Sequence, residues 1–165
     1  MDFKKTLCVL LAAAAVMCAG VGCGKDEDSK SGDTKTSAAA SVSVTETAEK
    51  LKSEVTFDSE LTEHDASKID RIHGITEDKY TEAKVYVDGS SATPEEIACF
   101  AAVDSDAAAE IKAVLQAEID SQKDRFKDYA PEQAPKLDDA VLVVKGNNVY
   151  MCVSGDNAKA KEIIG

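Results

Sequence analysis

Positive charge is in short supply: 19 lysines and arginines stand against 31 aspartates and glutamates, for a formal net charge of -12. That balance excludes nucleic acid as a partner, because such binding rests on clustered Lys and Arg neutralising phosphates. A bare polyanionic membrane or wall polymer is disfavoured on the same ground, and the surplus acid serves solubility. Histidine is scarcer still, with His64 and His73 alone. Nine residues apart, they cannot bring two ring nitrogens to one metal from a single helix, where an i,i+4 spacing is needed. His64, between Glu63 and Asp65, reads as a surface histidine, so no metal and no cofactor is expected. A Gly-x-Ser-x-Gly elbow is missing, and the many acids spread over helix faces instead of converging on a cleft. The expectation is therefore a protein that is not an enzyme and has no catalytic residue. Apolar runs are short as well: residues 7–19 form the longest, below the roughly 20 needed to cross a bilayer.

That run follows Lys4 and Lys5 and precedes small residues, the pattern of a signal peptide over residues 1–22. Gly20-Val21-Gly22-Cys23 resembles the lipobox of bacterial lipoproteins, with Gly20 where that motif prefers Leu. The resemblance implies a diacylglycerol-modified thiol at Cys23, cleavage just before it, and attachment to the membrane through that lipid. Residues 23–45 are Lys, Asp, Ser, Thr, Ala and Gly with almost no large apolar side chain, which reads as a disordered tether. Of the five cysteines, Cys8 and Cys18 leave with the leader and Cys23 takes the lipid, so Cys99 and Cys152 remain as thiols. Both lie in apolar runs of strand length. A disulfide between them and two buried free thiols are both compatible with that setting.

Residues 46–60 read as a linker or short helix, and residues 61–165 as an α+β domain. The predicted architecture is a small, mainly antiparallel sheet of about four strands, packed by one long helix and by short terminal helices. Asp104 and Asp106 suit the start of the long helix. Ala108, Ile111, Leu115, Ile119, Gln122, Phe126 and Tyr129 then recur at spacings of three and four, and Pro131 and Pro135 end it. Before it, Asp65 can cap a helix carrying Ala66, Ile69 and Ile72 on one face, with Gly74 at its exit and Ile75 folding back. Residues 81–87 alternate as a strand, with Ala83, Val85 and Val87 opposed to Lys84 and Tyr86. Thr93-Pro94-Glu95-Glu96 has a capping-box pattern, read as one helical turn before a strand over 97–103. Residues 140–145 and 148–153 form a hairpin around Gly146-Asn147, with Val144 facing Val149 and Val141 facing Cys152. Both faces of that hairpin are apolar, which predicts a strand pair covered on both sides. Asp156 can cap a last helix.

Ser121-Gln122-Lys123, Phe126, Tyr129, Pro131, Pro135-Lys136-Leu137, Ala140, Val141 and Lys145-Gly146, with Glu96-Ile97-Ala98 and Phe100 before them, are similar to a family of uncharacterised lipoproteins of clostridial-type Gram-positive bacteria. The family is known as a domain of unknown function, and the resemblance runs over residues 69–164. It implies an extracytoplasmic anchored domain and brings no activity, cofactor or catalytic residue. The reading that follows is a cell-envelope lipoprotein with a non-catalytic binding or accessory domain, contacting an unknown envelope protein or wall component. Lys123, Phe126, Tyr129 and Lys136 at the helix exit are the candidate contact patch. A small-ligand or solute-binding component is the alternative, and a carboxylate hydrolase ranks below it.

Overall fold

Strand alternation sorts the apolar residues of this chain onto two faces of one sheet, and helices cover both. The structure is a computed structural model that describes residues 43–165. The leader, Cys23 and most of the expected tether lie outside the described residues. In chain order the elements are α1 (Val44–Glu54), β1 (Leu61–His64), α2 (Ala66–His73), a short 3-10 turn (Glu77–Lys79), β2 (Tyr80–Asp88), β3 (Glu96–Ala102), α3 (Ser105–Tyr129), α4 (Ala134–Asp138), β4 (Val141–Lys145), β5 (Asn148–Val153) and α5 (Asn157–Ile164). The strands lie in the order β1-β2-β3-β5-β4, each antiparallel to its neighbour. The fold is α+β, with five strands where about four are expected from sequence. The extra strand is β1, which has one buried apolar residue, Leu61, and polar residues after it.

Period-two alternation explains the core. Ala98, Phe100 and Ala102 of β3, with Val149, Met151 and Val153 of β5, face α3 through Ala108, Ile111, Leu115, Ile119 and Phe126. Ile97 and Cys99, with Tyr150 and Cys152, face the other way, onto α1 and α5. The helical stripe read from sequence is the buried one, except at its end. Tyr129 is 69% exposed because Ala130, four residues after Phe126, takes the inward position instead. The hairpin takes the expected register, Val144 opposite Val149 and Val141 opposite Cys152, with Gly146 at φ 60°.

Three expectations need correction. The first concerns a boundary: of the two readings of residues 46–60, the short helix is the one found, but α1 begins at Val44, capped by Ser43 in a capping box with Glu46, and it packs into the domain by burying Val44, Ala48 and Leu51. The domain therefore starts near Ser43 and not at residue 61. Next, Thr93-Pro94-Glu95-Glu96 forms no helical turn, and β3 begins at Glu96. The Thr93 hydroxyl, free to cap in an isolated reading, instead donates to Asp88 at 3.0 Å. Finally, α2 does have Asp65 as its N-cap and Gly74 in the left-handed region at its exit, yet Ile72 is 51% exposed and His73 takes the inward position. His73 lies one turn after Ile69, and a partner for its ring waits on α3.

Cys99 and Cys152 are both buried free thiols. The register explains why they are not joined. Cys99 sits opposite Tyr150 and Cys152 opposite Ile97, so the two are diagonal neighbours on one face, typically about 7–8 Å apart and beyond disulfide reach. Burial pushes both thiols up, Cys152 to about 12, which keeps them protonated and inert.

Candidate functional site

Glu95 immediately precedes β3 and Glu96 opens it. Both residues are buried. A buried carboxyl must find partners, and these two find different ones.

Glu95 accepts from the backbone N–H of Asp58 at 2.8 Å and of Ser59 at 3.0 Å, and from Lys136 Nζ at 2.7 Å. The same ammonium reaches Asp58 Oδ2 at 2.6 Å. Burial alone would lower the Lys136 pKa, but the Asp58 and Glu95 carboxylates beside it carry it upward instead. The pair clamps the 55–60 connection and α4 to the head of β3. Its role is to hold the fold together.

Glu96 turns toward α2 and α3, into a cleft of about 490 Å³ whose lining includes Thr62, His64, Val87, Glu118, Gln122 and Arg125. His73 reaches the same place from the last turn of α2. Its Nδ1 lies 2.8 Å from Glu118 Oε2, and its Nε2 lies 3.8 Å from Glu96 Oε1. The side chains of His73 and Glu96 are 0% and 3% exposed, and that of Glu118 is 22% exposed at the open side. Gln122 Nε2 donates to the second oxygen of Glu118 at 3.3 Å, one helical turn on. Two of the buried atoms have no hydrogen-bond partner among the described residues: Nε2 of His73 and Oε1 of Glu96. Burial, and then the neighbouring Glu118 carboxylate, raises the Glu96 carboxyl well above its ordinary value. His64, with its ring centroid 6.4 Å from that of His73, is shifted the other way by burial and by the positive charge of its neighbours, so it is neutral at pH 7. Its Nδ1 is also buried without a partner.

The rim is built by the 88–95 loop. Asp88 accepts from the backbone N–H of Ser90 and of Thr93, both at 2.8 Å, and from both hydroxyls. Burial opposes ionisation of Asp88, but these hydrogen bonds outweigh it and hold the carboxyl at about 2. A carboxyl depressed in the fold from 3.8 to about 2 contributes stability that is present above the unfolded value and is lost as pH falls through the folded one. Asp88→Asn is therefore expected to cost about 1–2 kcal/mol at neutral pH, and the deficit should shrink between about pH 4 and pH 2. Urea midpoints of variant and parent across that range check it; a deficit independent of pH would separate the loop's stability from the charge.

The residues expected at a contact patch do not form one. Phe126 is buried in the core, Lys136 belongs to Glu95, and Lys123 lies 3.5 Å from Asp138, leaving Tyr129 as the exposed member. Histidine spacing within one helix does not reveal His73, Glu96 and Glu118 as a group. The three come from α2, β3 and α3, and only the sheet order brings them together. A usable signal was present: His73 on the inward face of α2 and Glu118 between Leu115 and Ile119 on α3.

No curated protein and no solved structure matches this chain. A protein-family model described as a domain of unknown function (DUF4358) matches residues 53–154, which span all five strands together with α2, α3, α4 and every residue of the cleft. The chain is a member of the DUF4358 family.

Proposed function

We propose that this protein is a cell-envelope lipoprotein of a Gram-positive, clostridial-type bacterium. A diacylglycerol on Cys23 tethers it outside the membrane, and its α+β domain serves as a non-catalytic binding or accessory module. The observation that carries the placement is Gly20-Val21-Gly22-Cys23 directly behind an apolar leader run too short to span a bilayer. Against catalysis stands the burial of Glu96, the carboxyl with the raised pKa: a general acid must come within hydrogen-bond reach of the proton it moves, and this side chain is 3% exposed. Asp88 and Glu95 are occupied by the loop and by Lys136. A second reading, a small-ligand-binding component, is favoured by the size of the cleft, which falls in the range of about 300–1,000 Å³ usual for ligand sites.

Metabolic labelling with an alkyne fatty acid in a Gram-positive host tests the anchor. The parent chain is expected to take up the probe and to fractionate with membranes, and Cys23→Ser to lose both properties. An unlabelled parent recovered from the cytosol would overturn the placement. Crosslinking of the labelled protein on intact cells then reports what the domain touches.

A further inference from the structure

We infer that His73, Glu96 and Glu118 form a binding site for a divalent transition-metal ion of the zinc, manganese or iron type, reached from the cleft between β1, α2 and α3. Polar atoms of the three lie within 4.8 Å of one another, with His73 Nε2 and Glu96 Oε1 as the ligand atoms and Glu118 behind the ring. The decisive feature is the pair of orphaned atoms. His73 Nε2 and Glu96 Oε1 are sealed from solvent, have no hydrogen-bond partner among the described residues, and stand 3.8 Å apart. That separation is too long for a hydrogen bond. It matches an ion seated between them, with two bonds of about 2 Å meeting at a wide angle.

The surroundings fit such an ion. Glu118 holds Nδ1 of His73 at 2.8 Å, which fixes the ring with Nε2 directed at Glu96. A carboxylate behind a metal-bound imidazole is the usual device for setting its tautomer and orientation. Two carboxyls converge on the ring, Glu96 sealed and Glu118 at the open side, and a divalent cation supplies their counter-charge. An imidazole in the set selects against calcium and magnesium, which take oxygen ligands. His64, with an unpartnered Nδ1 and its ring centroid 6.4 Å from that of His73, offers a further donor across the same cleft. The competing arrangement is a proton retained by Glu96 beside Glu118, with no metal.

The inference deepens the binding role proposed for the domain and rests on it only for that role; the anchor is a separate matter. A chain that binds metal but takes no lipid sinks the placement alone, and a labelled chain without metal sinks this site alone. The test is titration of the full chain, purified in detergent and stripped with a chelator, with Co²⁺ followed by its visible d–d absorption. One equivalent is expected to bind, to be displaced by Zn²⁺, and to raise the melting temperature. Glu118→Gln, at the open side of the site, should weaken binding about 10–100-fold. Glu96→Gln should abolish the d–d bands while the metal-free protein melts no lower than the parent, since it keeps the side-chain shape and removes a carboxyl oxygen buried without a hydrogen bond. Failure of the parent to take up stoichiometric Co²⁺, or unchanged affinity in both variants, overturns the site.

Discussion

Lys136→Met is expected to destabilise the domain by about 3–5 kcal/mol, the usual cost of removing one partner from a buried ion pair. The Glu95 side chain is 0% exposed and that of Lys136 is 11% exposed, so water replaces little of what the ammonium supplies. The backbone N–H groups of Asp58 and Ser59 would still donate to Glu95, but they carry no net charge to balance it. Asp58 contributes little by itself, because its side chain is 59% exposed and exposed pairs are worth about 0–1 kcal/mol. The double variant Glu95→Gln with Lys136→Met should recover much of the loss, since no charge is then stranded. Urea unfolding of the two single variants and the double one closes the cycle. A loss below about 1 kcal/mol for Lys136→Met would mean that water reaches Glu95, and the clamp would then be no stronger than a surface pair.

Lys136 also marks the boundary between what local pattern reveals and what tertiary pairing decides. Beside Pro135 and Leu137 it reads as a solvated or partner-binding lysine, and nothing nearby in sequence announces Glu95. The partners are 41 positions apart and meet because α4 packs over the head of β3. Features governed by local periodicity came through: the buried stripe of α3 from Ala108 to Phe126, the Asp65 and Gly74 ends of α2, and the hairpin around Gly146. Period-two and period-3.6 patterns act over a few residues, so a single chain segment holds the information. The site is different in kind. His73, Glu96 and Glu118 look like a helix-end histidine, a capping-box acid and a surface acid, and each acquires its meaning from the other two. The same limit explains α1. Its apolar residues Val44, Ala48 and Leu51 are few and set among charges, so the helix looks marginal until the apolar face of β3 and β5 is there to receive it.

Phe100→Ala should cost about 3–5 kcal/mol, comparable to the loss at Lys136 but by a different mechanism. Phe100 is 0% exposed on the middle strand of the sheet, with β2 and β5 on either side and α3 above. Its ring packs edge-to-face against Tyr80 at 5.4 Å. Truncation opens a cavity where neighbouring strands are hydrogen-bonded in place, so collapse around it is limited. Tyr129→Ala is the matched control: this residue continues the same helical stripe in sequence, yet it is 69% exposed and should move stability by less than about 0.5 kcal/mol. Unlike the Lys136 loss, the Phe100 loss should not respond to salt, because no charge is uncovered. Chemical denaturation of both aromatic variants at low and high salt measures all of this. Equal losses at Phe100 and Tyr129 would mean that the Tyr129 ring is packed into the hydrophobic layer beside Phe126 and Ala130.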